Sequence, residues 1–247
     1  MDLEHQTCVV TGGSRGIGRG IAVELGKQGA NVVVNYRSSE GEAYDVVDEI
    51  EEAGGSAIAV QADVANFEEV EAMRERVSKA FGPATVLVNN AGITVDKKFS
   101  NMSREDWDRV MEINLGGVYN CTKVFFDDIT TAKDGRLINI SSVVGQQGNY
   151  GQANYATTKS GLFGFTRTIA LEMARSRATA NCVAPGFVKT DMLETVPDRV
   201  QEKIISRIPL GRFAEVDDIA GMVSFLASPK SGYMTGQILG VNGGMEW

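Results

Sequence analysis

The stretch "TGGSRGIG", residues 11–18, lies between the apolar run Thr7-Cys8-Val9-Val10 and an amphipathic pattern from Gly18 to Gln28. Gly12, Gly16 and Gly18 sit where a strand must end and a helix must start. Glycine accepts positive φ and lets another group approach the backbone closely. A helix N-terminus carries unpaired N–H groups and a partial positive charge, which suit a diphosphate. A tight turn with no ligand would use the same residues. The strand–turn–helix setting is what a dinucleotide-binding unit needs, and it favours the ligand.

Outward from this turn, short β-branched runs predict about seven strands, at 7–10, 31–35, 57–60, 85–88, 137–140, 180–183 and 238–241. Helical patterns fall between them, at 18–28, 42–53, 68–81, 104–129, 155–173 and 216–226. The strand runs are apolar throughout rather than alternating, as burial on both faces requires. Strand–helix alternation means βαβ units. The fold expected is α/β: a Rossmann-type doubly wound parallel sheet with helices on both faces, in one domain over 1–247. Ser103 and Asp106 make a capping-box pattern ahead of Trp107 and Val110. Residues 190–213 carry two prolines, many charges and weak periodicity, and are read as a substrate lid.

Composition excludes several classes. Apolar residues make up 43% and charged residues 23%, as in ordinary soluble proteins. The formal charge of -8 argues against nucleic acid or an anionic membrane as partner. Cys8, Cys121 and Cys182 are scattered, and His5 is the sole histidine, so no metal site is expected and the thiols read as reduced. Residues 1–5 lack signal-peptide regions, and no apolar stretch spans a bilayer. A cytoplasmic location is expected.

The second strand bears on the nucleotide. NAD-binding folds usually place an acid at its end, to hold the ribose 2′-OH. Here Asn35 and Tyr36 stand there, followed by Arg37, with Arg15 in the glycine turn. Two guanidinium groups suit a 2′-phosphate, so NADPH is expected.

In "ANYATTKSG", residues 153–161, Tyr155 and Lys159 share one helix face. A nearby ammonium favours the phenolate, so the lysine is expected to lower the tyrosine pKa and tune a general acid toward neutral pH. Such pairs also arise by chance on amphipathic helices. Ser141 and Ser142, however, end the strand at 137–140, where parallel sheets bind ligands. "NNAG", residues 89–92, ends the strand before that. Asn114 falls mid-helix, a disfavoured place that hints at a bend or a polar role.

Together these motifs resemble the short-chain dehydrogenase/reductase family over nearly the whole chain, from Thr11 to Gly244. Asp63 in "ADV" and "PGFVKT" at 185–190 add to the likeness. The resemblance implies that Tyr155 donates a proton to a carbonyl as hydride arrives. It gives Lys159 the tuning of that tyrosine and the nicotinamide ribose, Ser142 the reacting oxygen, and Asn114 a water linked to Lys159. Ser141 is the alternative serine. The implied cofactor contacts are Gly12, Ser14, Arg15, Gly16, Ile17 and Gly18 at the turn, Arg37, Asp63 and Val64 at the adenine end, Asn90, Ala91 and Gly92 along the cleft, and Val188 and Thr190 at the nicotinamide amide. Arg177 stands where relatives often have glycine.

Two subfamilies share the local pattern at 141–155. Asn149 and "GQANY" resemble 3-oxoacyl-[acyl-carrier-protein] reductases of fatty acid synthesis. Gln146, Gly148 and Tyr150 resemble acetoacetyl-CoA reductases of polyhydroxyalkanoate synthesis. Both act on a 3-ketone of an acyl thioester, and Gln146, Gln147 and Tyr150 are the expected substrate contacts beside Ser142 and Tyr155. Acetoacetyl-CoA is the favoured substrate; Lys97 and Lys98 could meet its phosphates, although solvated surface lysines are the safer reading of the pair. A carrier-protein substrate, or a sugar or small alcohol, is the alternative. The resemblance also implies a homotetramer, with 238–241, Met245 and Trp247 packing between subunits.

Overall fold

The computed structural model describes residues 3–190 and 197–246. Seven strands form one parallel sheet: β1 (Thr7–Val10), β2 (Asn31–Tyr36), β3 (Ser56–Gln61), β4 (Val86–Asn89), β5 (Arg136–Ile140), β6 (Thr179–Pro185) and β7 (Ile238–Val241). Their order is β3-β2-β1-β4-β5-β6-β7. Every expected strand is present, and most gain a residue at an end.

Burial on both faces explains the unbroken apolar runs. Along β1, Cys8 and Val10 enter one apolar cluster and Val9 the other. The first cluster is covered by α1 (Gly16–Lys27), α2 (Glu40–Glu52) and, toward the C-terminus, a helix over Val216–Ala227. The second lies under α3 (Phe67–Phe81), and under the helices over Gly117–Thr131 and Ala153–Met173. Period-2 alternation feeds both.

The order reverses between β1 and β4: β2 and β3 extend one way from β1, and β4 to β7 the other. Connections leaving the carboxyl ends of β1 and β4 therefore diverge, and a crevice opens between them. The glycine turn and the Asn-Asn-Ala-Gly segment line it.

The helix expected over 104–129 is interrupted. α4 (Arg104–Met111) starts at the expected Ser103–Asp106 capping box, a π-helical turn covers Glu112–Gly116, and α5 (Gly117–Thr131) continues. Asn114 lies in this turn, bonded outside the helix, and such turns are frequent at functional sites. Gly117 admits the next contact: a Cβ there would lie 2.6 Å from Val64 Cγ2.

α6 (Val143–Gln147) follows β5, and α7 (Ala153–Met173) carries the Tyr-x-x-x-Lys pair. Within the expected lid, residues 191–196 lie outside the described residues. The remainder forms α8 (Asp198–Ile205), with no buried residue, anchored by buried Ile208 and Phe213. α9 (Val216–Ala227) then leads to β7. Trp247 also lies outside the described residues. No helix among the described residues is long and apolar enough to cross a membrane, and no metal-binding cluster is found among them.

Arg177 adopts φ 65°, the single non-glycine residue with positive φ among those described. It ends the short helical turn Ala174–Ser176 and is exposed. An L side chain there costs about 1 kcal/mol that glycine does not incur. Arg177→Gly is expected to raise the thermal midpoint by about 2–4 °C. A lowered midpoint in calorimetry would show that the arginine side chain makes a compensating contact.

Candidate active site

The crevice is braced by side chains that reach between strand ends. Thr11 Oγ1 accepts from the backbone N–H of Asn90 (2.9 Å) and of Ala91 (3.0 Å) and donates to the Val88 carbonyl (3.3 Å). Asn90 Nδ2 returns the link to the carbonyls of Thr11 (2.9 Å) and Gly12 (3.1 Å). Gly12 and Gly18 are required by this contact. Gly12 has φ 60°, and a Cβ there would stand 3.0 Å from Ala91 Cα. A Cβ on Gly18 would lie 2.2 Å from the Gly12 carbonyl oxygen.

Asn35, read as a missing acid, has a different role. Buried, it accepts from Gly12 N–H (3.2 Å) and donates to the carbonyls of Val60 (3.3 Å) and Ala62 (3.0 Å). It ties the turn to β3, and a carboxylate could not donate those two bonds.

α1 begins at the turn with no side-chain cap and no acidic residue in its first turn. By contrast α3, α4 and α9 are capped and carry acids there. Its first N–H groups and positive end are thus left to an incoming anion. Ser14 is buried at the turn, Arg15 is exposed, and Ile17 packs its side chain against the core. Thr190 closes the other side, its Cγ2 3.6 Å from where a Gly16 Cβ would be, behind buried Val188. This open, uncapped, glycine-walled groove fits a dinucleotide diphosphate.

At the far end of the groove Arg37 is half-exposed, with Nη1 3.9 Å from Asp63 Oδ2. The two residues expected at the adenine end thus stand side by side. Val64 is held below them by Asn120, which donates to its carbonyl (2.9 Å).

The chemical residues converge from four elements. Asn114 Oδ1 accepts from Ile93 N–H (2.9 Å), and its Nδ2 donates to the Ile93 carbonyl (3.0 Å) and to Thr158 Oγ1 (3.3 Å). These bonds pin the π-helical turn to the segment after β4 and to α7. Gly92 lies between Asn114 and Lys159: a Cβ there would meet Asn114 Oδ1 at 3.2 Å and Lys159 Nζ at 3.6 Å. Lys159 is buried, donates to the Ile140 carbonyl (2.8 Å), and holds its ammonium 5.6 Å from the Tyr155 ring centre.

Ser141 and Ser142 are separated by their partners. The Ser141 hydroxyl is buried and donates to the Lys159 carbonyl (2.8 Å). The Ser142 hydroxyl accepts from Val144 N–H (3.1 Å) as the cap of α6 and reaches the Tyr155 phenol. Ser142 therefore faces Tyr155 and Ser141 braces the helix.

The protonation states differ from the sequence expectation. Tyr155 is not lowered: burial pushes it up to about 12, opposed by the Ser142 hydrogen bond and reinforced by the Asp96 carboxylate. Burial brings Lys159 down to about 8. Desolvation of the phenolate outweighs the ammonium, whose hydrogen bond is given to Ile140.

Of the expected substrate contacts, Gln147 and Tyr150 are exposed, with Lys98 Nζ 5.9 Å from the Tyr150 ring centre. Gln146 Oε1 is buried without a hydrogen-bond partner, an acceptor turned inward. Lys97 is not open to a phosphate: it donates to Asp106 Oδ2 (2.7 Å) and Oδ1 (2.9 Å). Sequence reasoning missed Asp96, Gln152 and Asn154. Asn154 is fully buried and donates to the Val95 (3.1 Å) and Asp106 (3.2 Å) carbonyls, fixing the start of α7. No local pattern marks these residues, because their partners lie far away in the chain.

The Lys159 value sets a stability trend. Its folded pKa lies below the ordinary 10.5, so above about pH 8 the unfolded chain binds more protons and stability rises with pH. Above the ordinary thiol value of 9.0, the buried Cys8, Cys121 and Cys182, all pushed up by burial, pull the other way. Lys159→Met is expected to flatten the rise between about pH 8 and 9 in urea unfolding. Equal slopes in both proteins would place the titration elsewhere.

Comparison with known proteins accords with this geometry. A family profile described as enoyl-(acyl carrier protein) reductase matches residues 12–246. A 3-oxoacyl-[acyl-carrier-protein] reductase of Staphylococcus aureus is 48% identical over 240 residues, 97% of this chain and 98% of that protein. One from Staphylococcus epidermidis is 46% identical over 98% of this chain and 99% of its own length. One from Synechocystis sp. is 48% identical over 98% of each. With the glycine turn, the Asn-Asn-Ala-Gly segment and the Ser142–Tyr155–Lys159 cluster in one cleft, the chain belongs to the short-chain dehydrogenase/reductase family and is an NAD(P)-dependent oxidoreductase.

Proposed function

We propose that this chain reduces the 3-ketone of an acyl thioester to the (R)-3-hydroxy product, using NADPH. The observation that carries the reading is the meeting of Ser142 and Tyr155 beside the buried Lys159 ammonium, at the mouth of a groove built for a diphosphate. When bound, NADPH supplies the hydride. Gly12 to Gly18 and the free N-terminus of α1 hold the diphosphate, with Ser14 and Gly16 at its wall. Arg15 and Arg37 take the 2′-phosphate as charge-assisted donors. Asp63 and Val64 bound the adenine end, Asn90, Ala91 and Gly92 the middle, and Val188 and Thr190 the nicotinamide amide.

Ser142 donates a hydrogen bond to the ketone oxygen, and Tyr155 gives it a proton as negative charge develops there. A phenol pushed up to about 12 holds its proton at working pH, as an acid must. Lys159 is an ammonium below about pH 8, stabilises the phenolate left behind, and orients the nicotinamide ribose. Asn114 is committed to Ile93 and Thr158, so its part is to shape the π-helical turn and leave that backbone to a water near Lys159.

The carrier is read from the relatives. All three are named for acyl carrier protein, which moves the assignment away from acetoacetyl-CoA toward a carrier-protein thioester. The CoA reading keeps one observation: the exposed Tyr150 ring with Lys98 beside it at the cleft mouth, an aromatic surface and a cation suited to a nucleotide. Gln147 is exposed nearby, whereas the Gln146 amide oxygen is turned inward. A homotetramer is part of the proposal, since β7 ends the sheet with its side chains only half-covered.

The test follows NADPH oxidation with acetoacetyl carrier protein, acetoacetyl-CoA and a panel of sugars. The thioesters are expected to turn over, the carrier-protein form with the larger kcat/KM. Turnover on sugars alone would overturn the reading. Tyr155→Phe is expected to lower kcat by about 10²–10⁴-fold with NADPH affinity kept. Arg37→Asp is expected to shift the NADPH/NADH ratio of kcat/KM toward NADH, and an unmoved ratio would remove Arg37 from phosphate recognition.

A further inference from the structure

Ser142 is placed by a helix too short to hold itself. α6 has five residues, and Ser142 is its N-cap, accepting from the Val144 N–H (3.1 Å). Nucleating a single helical turn is unfavourable in water, so the form of α6 depends on what it packs against. That support is α7. A Cβ on Gly145 would lie 2.8 Å from the Lys159 carbonyl carbon and 3.0 Å from Lys159 Cβ, so the two helices touch backbone to backbone where glycine leaves room.

Two serines fasten this contact from opposite sides. The Ser141 hydroxyl donates to the Lys159 carbonyl (2.8 Å), and the Ser160 hydroxyl donates to the Gly145 carbonyl. Ser160 departs from its neighbours in doing so. Thr157 donates to the Ala153 carbonyl (2.7 Å) and Thr158 to the Tyr155 carbonyl (2.8 Å), the return to their own helix that such hydroxyls commonly make. Ser160 turns out of α7 instead, although it is an exposed residue with water open to it. Lys159 adds a third tie to the same stretch, its Nζ donating to the Ile140 carbonyl (2.8 Å). Ser142 thus lies between two fixed points, Ser141 and Gly145, bonded to consecutive residues of α7.

We propose that Ser160 is a positioning residue of this site: acting with Ser141, it clamps α6 to the turn of α7 that carries Lys159, and so fixes the Ser142 hydroxyl relative to the ammonium. Ser160 acts through Gly145 and α6 and does not touch the reacting atoms. The part Ser142 plays in reduction rests on the reading under Proposed function; the clamp itself does not. Rates depend steeply on such placement, and a displacement of about 1 Å costs about 10²-fold.

The experiment makes Ser160→Ala in the whole chain. Alanine is the strongest helix former, so the change does not weaken α7 itself. Amide deuterium exchange, read by mass spectrometry without cofactor or thioester, is expected to rise about five-fold over residues 143–148, the ratio that one lost hydrogen bond gives, and to stay unchanged in β1, β4 and α7. With NADPH and a 3-oxoacyl thioester, kcat is expected to fall about ten-fold, as for a displacement well under 1 Å, while KM and NADPH affinity are kept. Ser160→Thr, which keeps a hydroxyl, is expected to restore both readouts. Exchange unmoved over 143–148, or raised alike across the chain, would overturn the clamp. So would an unchanged kcat beside faster exchange, or a loss that Ser160→Thr shares in full. Absent thioester turnover in the unsubstituted chain would sink the reductase reading instead, and the exchange data would then decide the clamp alone.

Discussion

The structure depends on how two neighbouring strand ends are held apart and yet tied together. β1 and β4 pair through Val10 and Val88, and beyond that point their backbones diverge. Thr11 and Asn90 take over where the ladder stops: two hydrogen bonds join them, and three more tie Thr11 to Val88 and Ala91 and Asn90 to Gly12. Each is worth about 1 kcal/mol net. Their larger effect is geometric, because they fix the glycine turn against the Asn-Asn-Ala-Gly segment. The floor of the cleft is thus rigid before any ligand arrives, and little binding energy goes to ordering it.

Rigidity spreads from this floor by polar contacts inside an apolar frame. Asn89 bonds Thr122 and Asn139, and Asn139 bonds Thr166, so a buried polar line runs from α5 across β4 and β5 to α7. In a low-dielectric interior such bonds are directional, and an unmade one is costly. The line sets α5 and α7 on the sheet; α5 follows the turn that holds Asn114, and α7 carries Tyr155 and Lys159. Positions that apolar packing alone would leave free to slide are fixed.

Tyr155 and Lys159 show electrostatics decided by enclosure. From the spacing alone the ammonium should depress the phenol. In the folded chain both groups are desolvated, and each is pushed toward its neutral form. The phenol thereby keeps its proton, and Lys159 sits close enough to neutrality to respond to what is placed beside it. The same two side chains on an exposed helix would carry ordinary values and do little chemistry.

The sequence by itself determined the sheet, the strand count, the glycine turn and the Tyr-x-x-x-Lys face. Each is local: it follows from period 2 or 3.6 within a few residues, or from a glycine where no side chain fits. It also marked Asn114 as misplaced in a helix, although the π-helical form of the break depends on Ile93, 21 residues earlier. Tertiary structure alone decided that Asn35 braces the turn, that Ser141 serves Lys159 while Ser142 faces Tyr155, that Lys97 is spent on Asp106, and that Ser160 reaches the Gly145 carbonyl 15 residues earlier. Those roles rest on which distant backbone a short polar side chain meets. That meeting is fixed by strand order and helix packing, which leave no periodic trace in the chain.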